Sequence, residues 1–196
     1  MQNKSYNLWI GRLIMCLAMA GCSVDEADVS SRKDYQFSDL SPEYYGNFAG
    51  VWTVEKTPVE KTSLRLTVRF FFSSFPLTQD MQQAVVQKIG TKEPLAVQAD
   101  GYTVAYRETG YSVNSYYFDI MPRDYEYTVI ANGKQHTVRV VMEQTGSVAM
   151  FDKKTASLTA IFYIRQIEVD GAVAASYRPA LTLQFNSTNQ VRTSGV

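Results

Sequence analysis

From Phe48 onward, apolar and polar residues alternate with a period of two, the spacing of strands that bury one face and solvate the other. Phe48, Gly50, Trp52 and Val54 share one face of a first strand. Leu64, Leu66, Val68, Phe70 and Phe72 alternate with Arg65, Thr67, Arg69 and Phe71 in a second, the most regular run in the chain. Asp100-Gly101, Asn132-Gly133 and Asp170-Gly171 each predict a two-residue hairpin, because a type I′ turn needs positive φ at both central positions. The first turn sets Val97 against Val104 and Leu95 against Tyr106. The second sets Tyr127 against Val138 and Tyr125 against Val140, with Glu126 opposite Arg139 on the other face. Around the third, Leu158, Phe162, Ile164, Tyr177, Leu181, Leu183 and Phe185 gather on one side, and Pro179 marks a bulge or an edge position. Residues 116–120 and 148–151 supply further strands. Between the second and third strands the period changes: Met81, Val85 and Ile89 recur at helical spacing, with Thr78 as cap and Gly90 as stop, which predicts one short helix.

These elements make the chain all-β. About 8–10 antiparallel strands with one short helix suit a closed up-and-down barrel, with an immunoglobulin-like β-sandwich as the alternative. Local hairpins favour the meander over the long crossovers of a Greek key.

The amino terminus follows a different pattern. Lys4 and Arg12 precede a short apolar run over residues 13–20, and the small residues Ala20 and Gly21 stand directly before Cys22. That order reads as a bacterial lipoprotein signal, with cleavage before Cys22 and lipid attached to it; the run is shorter than the roughly 20 residues a membrane span needs. The expected organisation is a signal peptide over 1–21, a lipidated acidic tether over 22–43 and a single β-domain over 44–196. As a flexible coil, a tether of about 20 residues spans on the order of 25 Å. Removing the signal takes Lys4 and Arg12 and no acid, leaving 17 basic against 19 acidic side chains. Nothing in that nearly neutral balance attracts nucleic acid or an anionic membrane surface, since both would need a clustered excess of Lys and Arg. Cys16 leaves with the signal and Cys22 carries lipid, so no structural disulfide is expected and the core alone must stabilise the domain.

The mature chain holds one histidine, His136, and no thiol beyond Cys22. Zinc sites with several His or Cys ligands and Cys-His nucleophilic centres are therefore not expected, nor is any cofactor. The hairpin register puts His136 opposite Val129 and on the face of Val138, Val140 and Met142, a place for a hydrogen-bonded core or rim residue more than for a base. Glu126, Glu143 and Glu168 lie on or near strands, but no spacing selects a catalytic pair, and Arg139 gives Glu126 a cross-strand ion partner. No acid spacing matches an EF-hand and no glycine-rich loop matches a phosphate cradle. A non-enzymatic domain is expected. Its aromatic stock, 13 Tyr and 10 Phe, suits binding surfaces as well as cores. The candidate binding residues are Trp52, Tyr116, Tyr117, Tyr125 and Tyr127, and of the adjacent pair Tyr116 and Tyr117 one should point in and the other out.

Gly50-Val51-Trp52, opening the first strand, resembles the Gly-x-Trp element of lipocalins and the wider calycin group. The resemblance implies a calycin-like barrel whose Trp closes one end under a late arginine, Arg178 or Arg192. Arg123-Asp124-Tyr125 only loosely echoes a second signature of that family, and the predicted helix interrupts strands that lipocalins leave continuous. Asp25, Glu26 and Asp28 after Cys22 resemble the acidic export signal of Bacteroidetes-type surface lipoproteins, with an ordinary solvated linker as the alternative. Signal, acidic tether and tyrosine-rich β-domain together resemble the small, functionally unassigned outer-membrane lipoproteins of gut Bacteroidetes. The expectation is a lipoprotein at the cell surface, or alternatively at the periplasmic face, held to the membrane through Cys22. It would bind a small apolar molecule, a glycan or a peptide, or serve as a structural or adhesive accessory to an envelope protein assembly.

Overall fold

The computed structural model describes residues 42–191. The expected signal sequence, Cys22, nearly all of the expected tether and Arg192 lie outside the described residues. Eleven strands and one helix follow in the order β1 (Gly46–Val54), β2 (Thr57–Leu66), β3 (Phe70–Phe72), α1 (Gln79–Ile89), β4 (Ala96–Gln98), β5 (Tyr102–Tyr111), β6 (Ser115–Met121), β7 (Tyr125–Ala131), β8 (Lys134–Met142), β9 (Val148–Asp152), β10 (Ser157–Val169) and β11 (Ala172–Val191). The chain is all-β with one short helix, as its alternation predicts.

All pairings are antiparallel. Eight strands close into a hydrogen-bonded ring in the order β1-β2-β3-β5-β6-β9-β10-β11, with β11 returning to β1. The ring departs from a simple meander because two hairpins are longer than the ring is deep. β10 pairs with β9 over Ser157 to Ile161 and with β8 over Ile164 to Val169, so β9 and β8 lie in line along it. β6 and β7 lie in line in the same way, opposite β9 and β8. The outer halves, β7 and β8, leave the ring and carry β4 as a three-residue edge.

Local chemistry accounts for most turns. Asn132 and Gly133 have φ of 51° and 69°, Asp170 and Gly171 of 50° and 78°, and both turns form. The first hairpin keeps the expected register, with Tyr127 opposite Val138 and Glu126 opposite Arg139, whereas the second keeps it only to Glu168 opposite Val173 and then shifts, so that Tyr163 faces Thr182 and not Arg178. The helix begins where Thr78 accepts the backbone N–H of Met81 and ends at Gly90 with φ of 74°. Met81 and Val85 bury its inner face, which packs on β10 and β11. The β11 register jumps from Leu181 opposite Ile164 to Ser176 opposite Gln166, so residues 177–180, Pro179 among them, form the predicted bulge.

Two expectations need correction. The run from Leu64 to Phe72 is not one strand but the hairpin β2–β3, with Leu64 opposite Phe72 and Leu66 opposite Phe70. Its turn, residues 67–69, holds an odd number of residues, so the inward parity is kept on both sides and the alternation passes through unbroken while Val68 projects into solvent. Asp100-Gly101 makes no hairpin either: β4 pairs with β7, Val97 facing Val129, while β5 pairs with β3 and β6. Gly101 is a position of close approach, not of positive φ. A Cβ there would stand 2.5 Å from the Phe72 carbonyl oxygen.

Inside the ring the core is aromatic. Phe72, Phe162 and Phe185 surround Trp52 at ring-centroid distances of 4.6, 5.9 and 5.6 Å, and Phe48, Phe70, Phe118 and Phe151 extend the cluster along the ring. Gly50 belongs to this packing, since a Cβ on it would fall 2.4 Å from the Phe185 ring. Side chains of β7, β8 and α1 continue the same core past the ring.

Candidate functional site

The candidate aromatic residues divide by the face of the sheet on which alternation places them. Trp52 points inward, is fully buried, and donates its indole N–H to the Ser74 carbonyl at 3.1 Å. Arg178 does not close over it: that residue is exposed on the β11 bulge, in a polar cleft of about 340 Å³ shared with Glu143 and Arg165. The late arginine implied by the calycin resemblance is therefore not Arg178, and Arg192 lies outside the described residues. Tyr125 and Tyr127 also point inward and are buried. The Tyr125 hydroxyl donates to the Asp100 carbonyl at 2.6 Å, and burial, with the negative charge of Asp100 second, pushes its pKa up to about 12. These three side chains are spent on the core and expose no recognition face.

Tyr116 and Tyr117 split between the two faces as expected. Tyr116 packs against the core beside Tyr44, and the Lys153 ammonium stands 4.2 Å from its ring centroid, with Glu43 3.4 Å from the same ammonium. Tyr117 points outward. It faces Met150 across the β6–β9 pair, and Met150 in turn faces Thr159 of β10; one row over, Asp119, Val148 and Ile161 repeat the arrangement. Together they line a shallow, mostly apolar cleft of about 400 Å³ on the outer face of the ring. Arg107 and Asp119, paired at 2.8 Å, stand at its margin. Among the candidates, Tyr117 alone reaches this cleft. The signal for the rest was that residues 148–151 and 158–164 are apolar on both faces, more than a strand with one solvated face requires.

The polar constellations are struts between strands. His136 sits opposite Val129 and its Nδ1 lies 2.8 Å from Asp170, whose other oxygen accepts the Thr137 N–H at 2.9 Å. The His136 contact first, and the Thr137 N–H second, hold the Asp170 carboxyl below the ordinary carboxylate range. Arg139 pairs closely with Asp124 and more loosely with Glu168 at 3.7 Å and Glu126 at 3.9 Å, which raises its pKa, chiefly through the Asp124 hydrogen bond. Asp124 also accepts the Met142 N–H at 2.9 Å, so this cluster locks the β6–β7 connection onto β8. Among the described residues no group of three or more His, Cys, Asp or Glu side chains is placed to hold a metal ion, and no helix is long and apolar enough to cross a membrane. No protein-family model, no curated protein and no solved structure matches the chain.

Proposed function

We propose that this protein is a lipid-anchored, non-enzymatic binding module of the cell envelope, and that it recognises an extended peptide on the outer face of its ring. The observation that carries this reading is the filled interior: aromatic side chains occupy the space in which a barrel would hold a small molecule, so recognition falls to the outside. The Tyr117–Met150–Ile161 cleft has the volume of a ligand site, with an apolar floor and few polar groups at its margin. Its openness favours a peptide lying across it, because a small molecule there would leave much of its surface in water.

The anchor rests on the small residues before Cys22 and the basic, apolar leader ahead of them. The acidic residues Asp25, Glu26 and Asp28 favour display at the cell surface. A filled core also suits a structural accessory. The exposed edge β4 is only three residues long, however, a short edge of the kind that discourages strand pairing with a partner.

Four measurements test the parts separately. Fatty-acid labelling is expected to disappear in Cys22→Ser and persist in Cys16→Ser, and protease treatment of intact cells should cut the protein if it is displayed outside. Screening immobilised peptides should find binders that Met150→Lys loses and the native fold, followed by circular dichroism, keeps. Binding that survives Met150→Lys and Tyr117→Ala together places recognition elsewhere. A hydrolytic activity abolished by His136→Ala would overturn the non-enzymatic reading.

A further inference from the structure

Among the described residues, the large apolar side chains most open to solvent are Val113 at 90%, Val68 at 76% and Tyr111 at 74%, each well above the remainder of the exposed set. All three stand at turns on one end of the ring. Val68 is the tip of the β2–β3 turn; Tyr111 ends β5 and Val113 lies in the turn to β6. The β9–β10 turn joins them there, its Lys153 N–H donating to the Asn114 carbonyl at 2.8 Å. The Tyr106 hydroxyl ties the β2–β3 turn to β5 through the Thr67 carbonyl at 2.6 Å.

The polypeptide joins the domain at this same end. Tyr44 donates to Glu108 of β5 at 2.8 Å and packs on Tyr116, while Glu43 pairs with Lys153. The side from which Cys22 is connected is therefore the side that carries the apolar tips. Exposed Arg69 and Lys154 flank them.

We propose that this end docks on the membrane surface, with Val68, Tyr111 and Val113 entering the headgroup region and Arg69 and Lys154 meeting lipid phosphates. Isolated apolar tips are poor protein interfaces because they form no continuous patch, but each can be separately immersed in an interfacial layer, where tyrosine and basic side chains are favoured. Docking would hold the ring upright and keep the Tyr117 cleft, on its outer wall, clear of the bilayer. This inference rests on the anchored reading for its setting, but its test does not.

The full-length protein, purified from whole-cell extract in detergent whether or not it carries lipid, is reconstituted with vesicles of phosphatidylethanolamine and phosphatidylglycerol and probed with brominated lipids. The indole of Val113→Trp is expected to lose emission to the brominated lipid, while Val97→Trp, on the distant β4 edge, loses none. Adding Val68→Asp and Tyr111→Asp to Val113→Trp should restore the emission. Equal quenching at the two positions, or free access of an aqueous quencher to Val113→Trp on vesicles, overturns the docking. So does a cross-link between two copies at position 113 without lipid quenching. Lipid quenching together with failed fatty-acid labelling sustains the docking and removes only the anchor; labelling without quenching does the reverse.

Discussion

Asp170 connects one turn to the neighbouring strand with two bonds, one from the His136 ring and one from the Thr137 N–H. Those bonds favour its charged form, so its pKa in the folded protein lies below the ordinary value near 4 that it regains on unfolding. A depressed carboxyl contributes stability that is complete above the unfolded pKa and is lost as pH falls through the folded one. Urea midpoints measured from pH 6 to pH 2.5 should therefore fall less steeply for Asp170→Asn than for the parent below about pH 4. Equal slopes would mean that the carboxylate is solvated in the folded state. Much of the polar chemistry follows the same logic: His136, expected to be hydrogen-bonded, and Arg139, expected to pair with Glu126, each fasten one element to another, with Asp170 and Asp124 as their nearest partners.

Strand β2 and strand β3 look like a single strand in sequence because reflection about Val68 preserves the alternation. The difference is measurable. Val68→Asp should leave stability within about 0.5 kcal/mol of the parent, as for any surface change. Leu66→Ala, two residues away on the buried face, should cost roughly 2–5 kcal/mol. Comparable losses at both positions would restore the continuous strand. Turns were legible where side-chain chemistry alone creates them, as at Asn132-Gly133 and Asp170-Gly171. They were not legible where tertiary bonds do the work. Glu55 and Lys56 turn β1 into β2 at φ of 46° and 68°, although neither residue favours that region. The turn is held from outside: Glu55 donates its N–H to the Thr182 carbonyl and accepts the Thr182 N–H on its side chain at 2.6 Å. Asp100-Gly101 errs in the opposite sense, a turn signature used for close packing. Of the candidate site, parity showed that Tyr116 and Tyr117 must point to opposite faces but not which of them points outward, and the partners Met150, Val148 and Ile161 come from strands whose pairing no local pattern specifies.

At the scale of the molecule, closure depends on contacts between distant parts of the chain. Gly50 faces Ser187, and Trp52 faces Phe185. A topology dominated by such pairings folds slowly, in milliseconds to seconds, compared with microseconds for helical bundles. Stopping the chain at Leu181 would remove Leu183 and Phe185 from the core and leave β1 with one unpaired side. Thermal unfolding followed by near-ultraviolet circular dichroism should then show no cooperative transition, and a sharp transition in that shortened chain would mean that the ring is not the unit of stability. A polypeptide threaded amino end first through an export channel delivers β1 at the outset and β11 only when Val191 is through. During that interval the backbone groups of β1 that will meet β11 are satisfied by water alone, and the strand of a neighbouring copy offers them the same ladder. On the export route proposed above, ring closure is thus a race between the arrival of the chain's own last strand and the approach of someone else's, and crowding at the exit decides how many molecules close on themselves.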